Sequence, residues 1–222
     1  MEKFAVVIAG ISGVGKTTVS DRMIADLGYL EMSRSATTRS PRGDGRDDEY
    51  VYLTEDEFKR SIDEGGVAEY TLYGGNFYGT RKCELERIFA SGRYPILVLD
   101  YYGVASLKKS LDYPVYAIYV YTDLVEAEKR LRARDVVSES ESAKSSFEKR
   151  CRQNIEDFSI LHTMTEIFDF YVENSDVAEC AAEIANAIDK LRRGEEAMSL
   201  FEKVILTERF RLMAEDRRSL SE

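Results

Sequence analysis

Gly10, Gly15, Lys16 and Thr17 stand in the spacing Gly-x-x-x-x-Gly-Lys-Thr within GISGVGKTT. Glycines at such points let backbone N–H groups turn inward and approach an anion that a side chain would hold off. A helix beginning at Lys16 adds the positive end of its dipole. The lysine reaches the β- and γ-phosphates of a nucleoside triphosphate, and the Thr17 hydroxyl is a magnesium ligand. Gly10, Ser12, Gly13, Gly15, Lys16, Thr17 and Thr18 are therefore the expected contacts to the nucleotide phosphates, with Thr17 as the metal ligand. The pattern does not separate a kinase from a GTPase or a motor.

A second cluster suits a smaller anion. In SATTRSPR, Arg39 and Arg42 lie close to the hydroxyls of Ser35, Thr37 and Thr38, with Pro41 stiffening the loop between them. Two guanidiniums with hydroxyls grip a phosphate, each charge-assisted bond contributing roughly 1.5–3 kcal/mol. The plainer alternative is a solvated basic loop. Arg46, Asp44, Asp47, Asp48 and Glu49, which follow, read as a solvated turn. Further on, AEYTLYGGNFYGT sets Glu69 in a mostly apolar strand, a costly place for a carboxylate without a donor partner. Guanine offers N1–H and an exocyclic N2–H₂ side by side, and a carboxylate takes both; adenine presents no such pair. A site built this way rejects the wrong base by factors on the order of 10⁴. The alternative for Glu69 is an edge-strand residue facing water.

The elements that must carry these residues alternate along the chain. Short β-branched runs separated by helical patterns indicate an α/β fold with a parallel sheet. Strands are expected at Phe4–Ala9, Tyr94–Asp100, Val115–Tyr121 and Phe168–Glu173, with a helix from Lys16 to about Leu27. EYVYL and VAEYTLY alternate as strands around TEDEFKRSIDEG, where Thr54 and Glu57 form a capping box, so residues 33–92 read as a small mixed lobe. Residues 133–152 are polar and serine-rich, a candidate mobile lid or an ordinary exposed helix pair. Beyond Gly194, Ala197, Leu200, Phe201, Val204, Ile205, Leu212 and Met213 recur near helical spacing. This amphipathic helix is expected to pack on its own chain or on a partner.

Composition excludes several classes. The 222 residues suffice for one substantial core, and 31 basic against 41 acidic residues give a net charge of −10. That argues against a nucleic-acid surface or an anionic membrane as partner. Cys83, Cys151 and Cys180 fit neither a zinc spacing nor a disulfide framework and read as reduced thiols of a cytoplasmic protein. His162 is the one histidine, which excludes a Ser-His-Asp hydrolase and a multi-histidine metal site; it reads as structural, at a helix end or loop. No stretch reaches transmembrane length, and the N-terminal apolar run is too short for a signal peptide.

The segments GISGVGKTT, SATTRSPR, AEYTLYGGNFYGT, LVLDYYG, RLRAR and VENSD follow in the order and spacing of guanylate kinases, which this chain resembles from about residue 3 to about residue 190. The resemblance implies a P-loop NTPase fold with a parallel core sheet, an inserted mixed α+β lobe that binds the nucleoside monophosphate, and a helical lid. In those terms the core is 1–32, 93–132 and 153–193, the lobe 33–92 and the lid 133–152, with 194–222 a helical extension. It implies ATP and Mg²⁺ as cofactors and GMP or dGMP as substrate. Ser35, Glu69, Thr80 and Asp100 would contact guanine, and Arg39, Arg42, Tyr50 and Tyr78 the GMP phosphate. Arg130, Arg134 and Arg150 would clamp the transferring phosphoryl group; by themselves, Arg130 and Arg134 also suit the solvated face of a helix. Asn174 would lie near the ATP base. Lys16, Arg39, Arg130, Arg134 and Arg150 are thus the expected catalytic residues.

The match is incomplete. Val98 stands where the family usually has an acid that organises magnesium, Ala36 where serine is frequent, and Thr80 where serine is common. The loop from Gly43 to Glu49 is short and acidic. Two rival readings are a ribose 1,5-bisphosphate kinase, which would have no use for Glu69, and a non-catalytic scaffold module, which would generally lose the loop that Gly15, Lys16 and Thr17 retain. A homo-oligomer formed through the terminal helix is a further expectation.

Overall fold

Five consecutive buried apolar residues, Ala5–Ala9, form β1, as a strand covered on both faces requires. The computed structural model describes residues 2–41, 47–73, 75–135 and 141–219. After β1 come α1 (Lys16–Leu27), β2 (Leu30–Met32), β3 (Ser35–Thr37), a 3₁₀ turn (Asp47–Glu49), β4 (Tyr50–Tyr52), α2 (Glu55–Asp63), β5 (Val67–Tyr73) and β6 (Asn76–Arg81). Then follow α3 (Lys82–Ala90), β7 (Tyr94–Val98), α4 (Tyr101–Ser110), β8 (Val115–Tyr121) and α5 (Leu124–Asp135). The chain ends with α6 (Glu141–Ile160), a 3₁₀ segment (Leu161–Ile167), β9 (Phe170–Glu173), α7 (Val177–Arg192) and α8 (Leu200–Ser219).

One sheet has the order β2-β7-β1-β8-β9, with β2 parallel to β7 and β8 parallel to β9. The other, β4-β3-β6-β5, is mixed: β3 runs parallel to β4 and antiparallel to β6, which is antiparallel to β5. This is the expected α/β architecture with a parallel core sheet. The chain divides into two compact units, residues 1–7 with 24–116 and residues 8–23 with 117–222.

In the first unit, α2 starts at a reciprocal cap. Thr54 Oγ1 accepts the Glu57 N–H at 3.2 Å while the Thr54 N–H donates to Glu57 Oε2 at 2.7 Å. Phe58, fully buried one residue later, stacks on Phe77 with ring centroids 5.2 Å apart. β7 stops at Val98, short of the expected Asp100, because Asp100 instead caps α4 by accepting the Gly103 N–H at 2.7 Å. Likewise β9 begins at Phe170, not Phe168: the Asp169 carboxylate takes the Ala117 N–H at 2.7 Å.

In the second unit, α8 packs on α6 and on Leu161–Ile167 through Thr207, Phe210 and Ala214. Phe210 stacks on Phe158 at 4.6 Å, and Arg217 pairs with Glu128 of α5. The terminal helix thus packs on its own chain, leaving Leu200, Phe201, Val204, Ile205 and Leu212 exposed. The described part of the expected lid is helical, the end of α5 and the first half of α6; residues 136–140 lie outside the described residues. His162 is half-buried in the 3₁₀ segment, its carbonyl accepting the Thr165 hydroxyl at 2.9 Å. Among the described residues no helix is long and apolar enough to cross a membrane.

Candidate active site

The glycine loop links β1 to α1, and its carbonyls are held from several directions. Lys16 Nζ donates to the Gly10 and Ile11 carbonyls at 2.8 and 3.0 Å, and the Val19 N–H to Gly15 O at 2.9 Å. Asn174 Nδ2 donates to Val14 O at 2.7 Å, and Asn154 Nδ2 to Ser12 O at 2.8 Å. Asn154 Oδ1 also accepts the Ser12 N–H at 2.9 Å. Gly13 and Gly15 have φ of 90° and 89°, a region that side chains rarely adopt, so the loop needs glycine at both. Asn154 carried no signal in the sequence, because one asparagine inside a long helix has neither spacing nor motif to mark it.

Around this loop, Arg130 Nη2 donates to the Asn174 carbonyl at 3.1 Å and its Nε to Glu126 Oε1 at 2.9 Å. Arg130 therefore does not belong to a purely solvated helix face. Arg134 is exposed at the end of α5, and Arg150 is half-buried on α6. Thr17 is half-buried in the first turn of α1, with Thr18 exposed beside it. Asn174, which the resemblance sets near a base, is only 2% exposed, and its side-chain N–H supports the loop.

The first unit holds a small cavity of about 190 Å³, lined by Ser35, Tyr50, Glu69, Tyr78, Val98 and Asp100 among others. Glu69 belongs to the edge strand β5, yet it is 5% exposed because α4 packs on that strand. A Cβ at Gly103 would sit 3.4 Å from Glu69 Oε2, so the start of α4 lies directly against the carboxylate. Thr80 donates its hydroxyl to Glu69 Oε1 at 2.6 Å. Burial pushes the Glu69 carboxyl above its ordinary value, the Asp100 charge adds to the rise, and the Thr80 hydrogen bonds pull the other way.

Arg39 lies over the rings of Tyr50 and Tyr52 at 5.1 and 5.7 Å and donates to Ser40 O at 2.9 Å. The Tyr52 hydroxyl donates to Asp47 at 2.5 Å, so Asp47 anchors this aromatic stack and is no mere solvated turn. Arg42 lies outside the described residues, as do Asp44 and Arg46. Thr37 and Thr38, expected beside the anion, both bond Phe77 of β6 at 2.9 Å: the Thr37 hydroxyl donates to its carbonyl, whereas Thr38 Oγ1 accepts its N–H and keeps its own O–H as a donor. They stitch two strands together. Gly79 of the NFYGT run also has a structural cause: a Cβ there would fall 2.5 Å from the Glu69 carbonyl.

The sequence model of the guanylate kinases matches residues 2–191. The chain belongs to the guanylate kinase family. It is 31% identical to the guanylate kinase of Porphyromonas gingivalis over 186 residues, which cover 82% of this chain and 95% of that one. Identity to the guanylate kinase of Schizosaccharomyces pombe is 36% over 156 residues, 68% of this chain and 75% of the other. The crystal structure of guanylate kinase from Anaplasma phagocytophilum aligns with a TM-score of 0.60 at 22% identity, covering 90% and 89% of the two chains, and shows the shared fold. In this chain α8 lies beyond the family match.

Proposed function

We propose that the chain transfers the γ-phosphoryl group of ATP to GMP, and to dGMP, giving ADP with GDP or dGDP. One observation carries the choice of acceptor: Glu69 is buried with a hydroxyl donor on one oxygen and an elevated carboxyl pKa, so it needs the paired donors that a guanine edge supplies. Ser35, Thr80 and Asp100 complete the base contacts, while Arg39, Arg42, Tyr50 and Tyr78 take the acceptor phosphate.

The attacking atom is a phosphate oxygen already ionised at neutral pH, so no general base is required. The work lies in alignment and in cancelling charge between two polyanions. The N–H groups of the glycine loop and Lys16 hold the donor phosphates; Arg130, Arg134 and Arg150 offset charge on the transferring group. Among the described residues no three His, Cys, Asp or Glu side chains converge. The half-buried Thr17 hydroxyl, at the start of α1, fits a magnesium ion carried mainly by nucleotide oxygens and water. When bound, that ion neutralises charge on the β- and γ-phosphates. A cytoplasmic setting belongs to the same reading, in line with free thiols at Cys83, Cys151 and Cys180.

The test is ADP release with ATP and magnesium against GMP, dGMP, AMP, CMP and UMP. Turnover confined to GMP and dGMP is expected. Binding of GMP without turnover would favour a binding module, and turnover without base preference would remove the role given to Glu69.

A further inference from the structure

In a trans peptide the carbonyl and the next residue's N–H point in opposite directions, and the described residues contain no cis bond. Whatever holds the Ser12 carbonyl therefore aims the Gly13 N–H the other way, and whatever holds the Val14 carbonyl does the same for Gly15. Asn154 and Asn174 are those holders, at 2.8 and 2.7 Å, and they are 3% and 2% exposed. Asn154 does more than Asn174, because its Oδ1 also accepts the Ser12 N–H at 2.9 Å. This clamp fixes the Ser12 backbone on both sides. It also ties the loop to α6 one helical turn from Arg150.

We propose that Asn154 is a positioning residue for ATP. Through Ser12 it sets in advance the peptide plane that presents the Gly13 N–H to the triphosphate, and it fixes the stretch of α6 that bears Arg150. The inference rests on the kinase reading for its ligand. The loop geometry itself can be tested without turnover.

Amide hydrogen exchange on the nucleotide-free wild-type protein is the first measurement. The Ser12 N–H is expected to be protected at least about 100-fold relative to an unstructured peptide; exchange at the free-peptide rate overturns the proposal. Kinetics follow with Asn154→Ala and with Asn154→Gln, whose longer amide keeps the polarity but displaces both bonds. Each is expected to raise the KM for ATP and weaken ADP binding by about tenfold, leaving the KM for GMP within about twofold. Equal losses for both substrates, or no loss for ATP, overturn it. If neither variant folds, the exchange result on the wild type decides. A wild type with a protected Ser12 but no GMP turnover refutes the kinase reading and leaves the clamp standing.

Discussion

Two buried glutamates in the same unit show how differently a protein uses a carboxylate. Glu84 on α3 is 2% exposed and receives Arg87 through Nε and Nη2, both at 3.0 Å, and Arg34 through Nε at 3.3 Å. Burial opposes its ionisation, but the Arg87 and Arg34 hydrogen bonds outweigh it and hold the carboxyl at about 2. Glu69 is 5% exposed, has the Thr80 hydroxyl at 2.6 Å, and is pushed upward by burial. The first acid is satisfied by its own chain and serves the fold. The second is met by Thr80 and by no guanidinium among the described residues, borders the cavity, and is suited to a ligand that brings further donors.

Substitution by the neutral amide separates the two most sharply. Glu69→Gln turns an NH₂ towards guanine's own N–H groups, and kcat/KM for GMP is expected to fall on the order of 10³-fold, with AMP unaffected. Thermal stability should hold or rise, since the amide carries no desolvated charge. A comparable loss with both nucleotides would deny Glu69 a base-reading role. Glu84→Gln should do the reverse. It leaves Arg34 and Arg87 short of a carboxylate and is expected to cost about 2 kcal/mol in urea unfolding, less than a fully enclosed pair because both arginines reach solvent. KM values should stay within about twofold. The depressed pKa fixes the sign: this stabilisation is complete above the ordinary value of 4.5 and is lost as pH falls towards about 2.

The sequence announced Glu69 but not Glu84. An acid in VAEYTLY breaks an apolar alternation, whereas an acid in KCELERIF is ordinary on a helix. Only the approach of Arg34, fifty positions away, makes Glu84 distinctive. The same limit applies at the phosphate loop. Gly10, Gly15, Lys16 and Thr17 are legible because their order fixes backbone geometry locally, α1 follows from its place after that loop, and β1 and β8 from runs of apolar residues. Asn154 depends on a partner 142 positions distant, and no local pattern encodes that. Thr37 misled for the related reason that a hydroxyl near arginines can equally well belong to the next strand.

The elevated Glu69 pKa predicts a pH effect on base recognition. Below that pKa the protonated acid loses its capacity to take both guanine donors, so affinity should weaken by up to about tenfold per pH unit. Guanosine as a competitive inhibitor isolates this limb, because it has no phosphate to titrate. Stability moves the opposite way: a raised carboxyl contributes most at low pH, and that contribution is lost as pH rises through the folded-state value. A guanosine affinity independent of pH down to 4 would mean that the acid is not held above its ordinary value.

Thr80→Val makes the smallest change and tests the cause of that shift. The side chain is 1% exposed and nearly isosteric with valine, so packing is conserved while the hydroxyl that donates to Glu69 disappears. Guanosine should bind about fivefold more weakly at neutral pH, because the bond that presets the carboxylate is gone while the contacts of the carboxylate to the base remain. More telling is the direction of the acid limb. Thr80 lowers the Glu69 pKa, so its removal must carry the limb to higher pH, whereas a general loosening of the pocket would weaken binding equally at every pH. In Glu69→Gln the limb should vanish altogether, and adding Thr80→Val should then leave the profile flat. A limb that persists in the double variant cannot come from position 69, and the titration assigned to Glu69 would then be wrong.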